Sequence, residues 1–239
     1  MKNILITGVT KGIGKATAEK LSKEGYEIYG AYFDTAEEDI KKLKSDIQNL
    51  HLYQVDLSER DQVYDFIKQL EGISFYGIVN NAGVYIPEKF REYDMKIWDK
   101  VIQLHVSTPL MLSTYLQNNL EENGSIVNIA SIYGVVLGGY SGIVYATSKA
   151  ALSNLTKTLC NVYSYKKVRV NAVAPGMVKT NLSAANGEEA LKAIAKKTPL
   201  GRIGEPQEIA EIISFLISNK SSYINGATII ADGGYTCGD

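Results

Sequence analysis

Short apolar runs rich in β-branched residues alternate along this chain with longer stretches of helical pattern, and few folds accept that alternation. Residues 3–6, 27–33, 51–55 and 78–80 read as strands, and 12–23, 36–47 and 60–70 as the helices between them. Residues 125–130, 168–174 and 227–231 add three more strands. Residues 145–163 and 207–218 read as helices, and 94–117 as a long one containing Pro109. Proline has no backbone donor, so a bend or interruption is expected there. The strands are apolar at successive positions, which suits a parallel sheet covered by helices on both faces. Repeated βαβ units then predict a doubly wound α/β fold with a seven-stranded parallel sheet flanked by helices.

No linker, low-complexity segment or repeat divides the sequence, so residues 1–239 are expected to form a single domain. The segment 176–206 is of different character: polar, with several small residues, between a strand and a helix. Excursions of that kind serve as substrate lids or as helical surface insertions.

The net charge of −1 gives no electrostatic reason to expect nucleic acid or an anionic membrane as a partner. The start has one basic residue and three consecutive apolar ones before Thr7, too few for a secretory segment. No stretch approaches the roughly 20 apolar residues of a membrane span. Cys160 and Cys237 make no metal-type pair, and His51 and His105 are isolated, so no metal site is expected. A reducing, cytoplasmic setting follows.

Two patterns carry chemistry. Residues 7–14, Thr-Gly-Val-Thr-Lys-Gly-Ile-Gly, follow a strand and open a helix. Glycines there permit a tight turn and the close approach of a pyrophosphate, and the helix N-terminus offers unpaired N–H groups to it. The spacing G-x-x-x-G-x-G differs from the commoner G-x-G-x-x-G. The second pattern is Tyr145-x-x-x-Lys149. A spacing of i to i+4 puts phenol and ammonium on one helix face. A nearby cation lowers the pKa of a phenol, whose free value is about 10. A phenol poised nearer neutrality can exchange a proton with an alcohol or carbonyl oxygen.

With Asn80-Asn81-Ala82-Gly83 at the end of the fourth strand, and Ser131 ending the strand before Tyr145, the chain resembles the short-chain dehydrogenases/reductases, closest in pattern to bacterial 3-oxoacyl-[acyl-carrier-protein] reductases. The resemblance runs from residue 2 to about 235 and implies a Rossmann-like fold and NAD(P)-dependent transfer of a hydride to or from a carbonyl/alcohol pair. It makes Ser131 the group that hydrogen-bonds the substrate oxygen, Tyr145 the proton donor or acceptor, and Lys149 the cation beside both Tyr145 and the nicotinamide ribose. Ser148, on the helix of Tyr145, is the less favoured serine. Gly8, Thr10, Lys11, Gly12, Ile13 and Gly14 would hold the pyrophosphate side of the cofactor, and Asp56 and Leu57 the adenine. Asn81, Ala82 and Gly83 would pass beside the adenine ribose, and Pro175, Gly176, Val178 and Thr180 would meet the carboxamide and pyrophosphate.

The residue that would select NAD by binding the ribose 2′-OH falls on Tyr32, which is not acidic. Lys11 matches the basic residue of NADP-preferring members, whereas Asp34 points the other way. NADP(H) is therefore expected, with NAD(H) as the alternative. His105 falls where the family carries an asparagine whose backbone carbonyl holds a relay water. It could titrate near neutrality and join that relay, or pack at a helix bend.

The substrate stays open between an acyl thioester on an acidic carrier and a sugar, polyol, steroid or other small ketone. Lys166 and Lys167 suit a carrier, and Glu121 and Glu122 do not. Residues 138–142, Tyr85 and the 176–206 excursion would line the substrate cleft. A non-catalytic nucleotide-binding sensor is the rival class. The resemblance implies a homotetramer, with a dimer second.

Overall fold

In this computed structural model the described residues are 1–87, 94–137 and 142–237. They form one α/β domain with seven strands: β1 (Asn3–Thr7), β2 (Glu27–Tyr32), β3 (Leu50–Gln54), β4 (Phe75–Asn80), β5 (Leu120–Ile129), β6 (Arg169–Pro175) and β7 (Thr228–Ala231). All pair in parallel in the order β3-β2-β1-β4-β5-β6-β7, so the chain reverses its direction of travel across the sheet between β1 and β4. The crevice at such a switch point is where this architecture binds ligands.

The helices are α1 (Gly12–Lys23), α2 (Glu37–Asp46), α3 (Arg60–Gln69), α4 (Met95–Ile102), α5 (Thr108–Tyr115), α6 (Ile132–Val135), α7 (Ile143–Val162), α8 (Asn181–Ala184), α9 (Glu188–Lys197) and α10 (Pro206–Ile217). Alternate strand residues feed two cores. Leu5, Ile78 and Ile126 pack under α3, α5 and α7 through Phe66, Leu112 and Leu159. Ile4, Val79 and Val127 pack under α1, α2 and α10 through Leu21, Leu43 and Ile213. Burial on both faces is why the strands read as apolar without alternation.

The predicted helix over 94–117 is interrupted, but not by a kink at Pro109 itself. A π-helical turn, Gln103–Ser107, joins α4 to α5, and Pro109 sits in the first turn of α5, where its missing donor costs little. Pro109 cannot donate to the carbonyl four residues back, which is His105. Widening the preceding turn moves the register there, and Thr108 N–H bonds Gln103 O. The turn is anchored by Arg60, which donates to Gln103 Oε1 at 3.2 Å, and by Thr108, which donates to Leu57 O at 2.7 Å. The excursion 176–206 contains two helices, α8 and α9, and starts and ends at a bridge between Val178 and Gly204. No described helix is long and apolar enough to cross a membrane.

Candidate active site

The C-terminal ends of β1, β4, β5 and β6 open into a cleft of about 800 Å³. Its floor at one end is the turn from β1 to α1. Gly8 and Gly12 have φ of 69° and 53°, which side chains rarely tolerate. A Cβ on Gly14 would lie 2.1 Å from Gly8 O, so only glycine lets α1 start against this turn. Thr7 ties the turn to β4: its hydroxyl accepts from Asn81 N–H at 2.9 Å and Ala82 N–H at 3.0 Å. Asn81 Nδ2 donates back to Thr7 O at 2.8 Å.

These residues fit a dinucleotide. No side chain caps α1, and no acidic residue lies in its first turn, so its leading N–H groups and positive dipole end face the cleft. Across the mouth, a Cβ on Gly12 would come within 3.0 Å of Thr180 Cγ2 and narrow the passage. Lys11 Nζ donates to Asp34 O at 2.8 Å, and Thr10 and Thr35 share a hydrogen bond of 2.8 Å. That puts a cation and hydroxyls at the end of β2.

At the other end, Ser131 caps α6, its hydroxyl accepting from Tyr133 N–H at 3.3 Å. Ser131 and Tyr145 line the cleft together, and the serine hydroxyl favours the phenolate. Tyr145 lies in the first turn of α7, and Lys149 one turn on. The ammonium of Lys149 is buried, lies 5.8 Å from the Tyr145 ring centroid and donates to Ile129 O at 2.7 Å. Burial lowers its pKa from 10.5 to about 8. The Tyr145 phenol moves the other way. Loss of solvent raises it above 10, the Ser131 hydroxyl pulls it down, and the Tyr133 and Tyr85 phenols add to the rise. The expected lowering by Lys149 is thus not what dominates here: the ammonium is turned toward Ile129 O, and desolvation outweighs it.

His105 does not line the cleft. It is fully buried on the π turn, with its ring 5.7 Å from that of Tyr145 and nearly perpendicular. Burial, and then the Lys149 charge, drive its pKa well below 6.5. Titration near neutrality is therefore corrected to a neutral imidazole. Ser148 is also buried: its hydroxyl donates to Tyr145 O at 2.7 Å and is spent on the helix interior.

Gly8, Thr10, Lys11, Gly12 and Ile13 line the cleft, as do Asn81, Ala82, Gly83, Pro175, Gly176, Val178 and Thr180. Gly14, Tyr32, Asp56 and Leu57 do not. Gly14 is sealed against Gly8 O. Tyr32 packs on the core of the α1 face. Asp56 turns a carboxylate oxygen onto Ser58, at 2.9 Å from its N–H and 2.6 Å from its hydroxyl. Leu57 is buried in the opposite core.

Tyr85 and Gly142 line the cleft; residues 138–141, expected there too, lie outside the described residues. The lining also includes residues the sequence reading missed. Tyr133 is one, and its phenol is pushed up by burial and by the neighbouring Tyr235 and Tyr85 phenols. Tyr85 stands edge-on to Tyr145 at 5.6 Å. The excess of tyrosine over phenylalanine, 16 to 5, was the available signal. Leu182 and Ile194, from α8 and α9, close the outer wall.

A family model described as enoyl-(acyl carrier protein) reductase matches residues 8–236. The 3-oxoacyl-[acyl-carrier-protein] reductase FabG of Thermotoga maritima is 34% identical, covering 98% of this chain and 97% of the relative. The 2-dehydro-3-deoxy-D-gluconate 5-dehydrogenase of Pseudoalteromonas atlantica is 35% identical, with coverage of 98% and 95%. Among solved structures, a short chain dehydrogenase family protein from Francisella tularensis superposes with a TM-score of 0.87 at 33% identity, covering 99% of each chain. BdcA in complex with NADPH gives 0.88 at 25% identity, with coverage of 97% and 93%.

Proposed function

This chain belongs to the short-chain dehydrogenase/reductase family of NAD(P)-dependent oxidoreductases acting on carbonyl/alcohol groups, and on that premise we propose that Tyr145 is its catalytic acid, assisted by Ser131 and Lys149. The observation that carries the reading is the convergence of Ser131 and Tyr145 on one cleft, with the buried Lys149 ammonium one helical turn on from the phenol.

A nicotinamide cofactor supplies or accepts the hydride. The protein's own work is on the substrate oxygen. Ser131 and Tyr145 both donate to it, and that pair of donors stabilises the charge that gathers there. Tyr145 then passes its proton to the oxygen, giving the alcohol. The phenolate left behind is stabilised by the Lys149 ammonium, which at neutral pH still holds its proton. A phenol kept protonated by burial is an acid at rest, ready to give its proton to a carbonyl oxygen. NADP(H) is the proposed cofactor: Lys11 reaches the end of β2, where Tyr32 replaces an acid. The α8–α9 excursion is proposed as the substrate lid, since Leu182 and Ile194 form the outer wall.

The substrate we favour is a 3-oxoacyl thioester or a related small ketone. A sugar- or polyol-type substrate has a specific observation behind it. Lys166 Nζ donates to Gln117 O at 2.6 Å and Leu120 O at 2.9 Å, so it is occupied within the fold rather than offered to an acidic carrier. Two free cysteines accord with a cytoplasmic protein, and a homotetramer is proposed, to be checked by sedimentation.

The test is oxidation of NADPH and NADH at neutral pH against 3-oxoacyl thioesters, diketones, sugars and steroid ketones. Tyr145→Phe should lose about 10²–10⁴-fold in kcat, and Ser131→Ala about 10²–10³-fold, both keeping cofactor affinity. Normal turnover in Tyr145→Phe would refute the mechanism. Cofactor binding without turnover on any substrate would favour a nucleotide sensor.

A further inference from the structure

His105 is held by three separate pieces of the site. Its Nε2 accepts the Val84 N–H at 3.0 Å. Its Nδ1 meets Ser148 Oγ at 2.8 Å, and Ser148 Oγ donates to Tyr145 O at 2.7 Å. Its ring stands perpendicular to that of Tyr145, with centroids 5.7 Å apart. Only one arrangement of protons satisfies all of these bonds. A backbone N–H can only donate, so Nε2 keeps its lone pair. The Ser148 hydroxyl has one proton, already given to Tyr145 O, so it must accept from Nδ1–H. The charged group facing the ring is the Lys149 ammonium, and a second proton on the imidazole would oppose it and break the bond to Val84. The fit is close: a Cβ on Gly83 would lie 3.1 Å from His105 Nε2 and 3.6 Å from Lys149 Nζ.

We infer that His105 is a positioning residue whose imidazole ties the Gly83–Val84 turn to the first turn of α7, and so fixes Tyr145 relative to the cofactor side of the cleft. The turn after β4 lines the cleft at Ala82 and Gly83, and Tyr145 lines it from α7. His105 is thus a strut, placed on the π turn that Pro109 makes favourable, and its imidazole is no part of a proton path to solvent. The inference rests on the reading of Tyr145 as the acid.

Side-chain length gives the test its resolution. The amide of Gln reaches the place of Nε2 and that of Asn the place of Nδ1, so His105→Gln can restore the acceptor for Val84 and His105→Asn the donor to Ser148. His105→Phe keeps a ring and restores neither. Small misplacements of reacting groups cost about 10²-fold. His105→Phe should therefore lose about that much in kcat, with KM for the ketone nearly unchanged. Gln and Asn should fall between Phe and wild type, with the pH profile unmoved in shape. Wild-type kcat in His105→Phe would overturn the inference. So would Gln and Asn variants no better than Phe, which would leave only packing.

A second measurement needs no substitution at the site. The protein has two histidines, and His51 lies on the surface at 2.7 Å from Glu27. Labelled-histidine NMR of wild type and His51→Gln assigns both. The expected His105 signal is a neutral Nδ1–H tautomer, unchanged from about pH 5 to 8. An Nε2–H tautomer, or titration in that range, overturns the strut. Should Tyr145→Phe prove fully active, the reading of Tyr145 fails, while the NMR result still decides whether the tether exists.

Discussion

Lys149 shows what a reactive cleft costs the residue that serves it. Its ammonium is buried and its pKa lowered to about 8 by loss of solvent. Between pH 8 and 10.5 the unfolded chain holds a proton that the folded one has released, so this group makes stability climb as pH rises across that window. Below pH 8 the buried charge costs on the order of 3 kcal/mol, at about 1.4 kcal/mol per pH unit. Lys149→Met removes the charge and forfeits a hydrogen bond to Ile129 O, worth about 1 kcal/mol. The apoprotein variant should therefore gain roughly 2 kcal/mol in urea denaturation at neutral pH, with the difference closing by about pH 10, while turnover collapses. Equal stability of the two proteins at pH 7 would sink the argument. Sequence alone made Tyr145 and Lys149 readable as a pair, because they share one helix face. It could not show which effect governs the phenol, since its burial and the Tyr133 and Tyr85 phenols that add to the rise are brought there by the fold. Nor could it show what His105 touches, since Val84 and Ser148 lie 21 and 43 residues away.

Among the elements, α10 is held by an unusual partner. Arg169, at the start of β6, is buried, and its guanidinium donates to Leu216 O at 2.8 Å, Ile217 O at 3.3 Å and Ser218 O at 3.1 Å. It also donates to Ser221 Oγ at 2.6 Å. These carbonyls are the ones a helix leaves unpaired at its C-terminus, and they carry its negative dipole end. The fork of Arg169 thus replaces a cap and pins α10 to β6. Arg169→Met should cost about 1–3 kcal/mol: Ile217 O loses its donor, while Leu216 O keeps Ser125 Oγ and Ser218 O keeps Ser221 Oγ. Arg169→Lys should recover part of that, because one ammonium cannot span the fork. Chemical denaturation would measure both; a loss under about 1 kcal/mol for Met would contradict it. The sequence made the seven strands and their helices legible, since burial on both faces leaves continuous apolar runs. It missed α6, four residues long, and it expected a bend or interruption of the 94–117 helix at Pro109, where the break is the π turn just before it. Helices α8 and α9 were hidden because α9 buries none of its residues and so carries little core pattern.

For the molecule as a whole, the cleft is built by both ends of the chain: the β1–α1 turn near residue 10 faces Thr180 and the excursion beyond it. A helix with no buried residue opens readily on its own. Amides of α9 should therefore exchange with solvent quickly in the free protein. If the excursion is a lid, they should slow at least severalfold with NADPH present. Hydrogen exchange read residue by residue would show this, and no change in α9 with cofactor bound would leave the excursion a plain surface insertion.

The Val178–Gly204 bridge sets the terms on which that excursion exists. Lys179 N–H donates to Gly204 O, and Gly204 N–H to Met177 O, each at 2.9 Å, so the two ends leave the body of the protein side by side. Whatever lies between them closes on the same short seam, and lengthening a loop whose ends are already joined costs little. The stretch between Thr180, which faces Gly12 across the cleft, and Leu200, whose N–H donates to Gly233 O at 3.2 Å, is therefore where length and composition can change at least cost. Relatives of nearly equal similarity carry the names of a 3-oxoacyl-[acyl-carrier-protein] reductase and a 2-dehydro-3-deoxy-D-gluconate 5-dehydrogenase. If the excursion is the substrate lid proposed above, this seam gives evolution a place to change the clientele while the chemistry stays put.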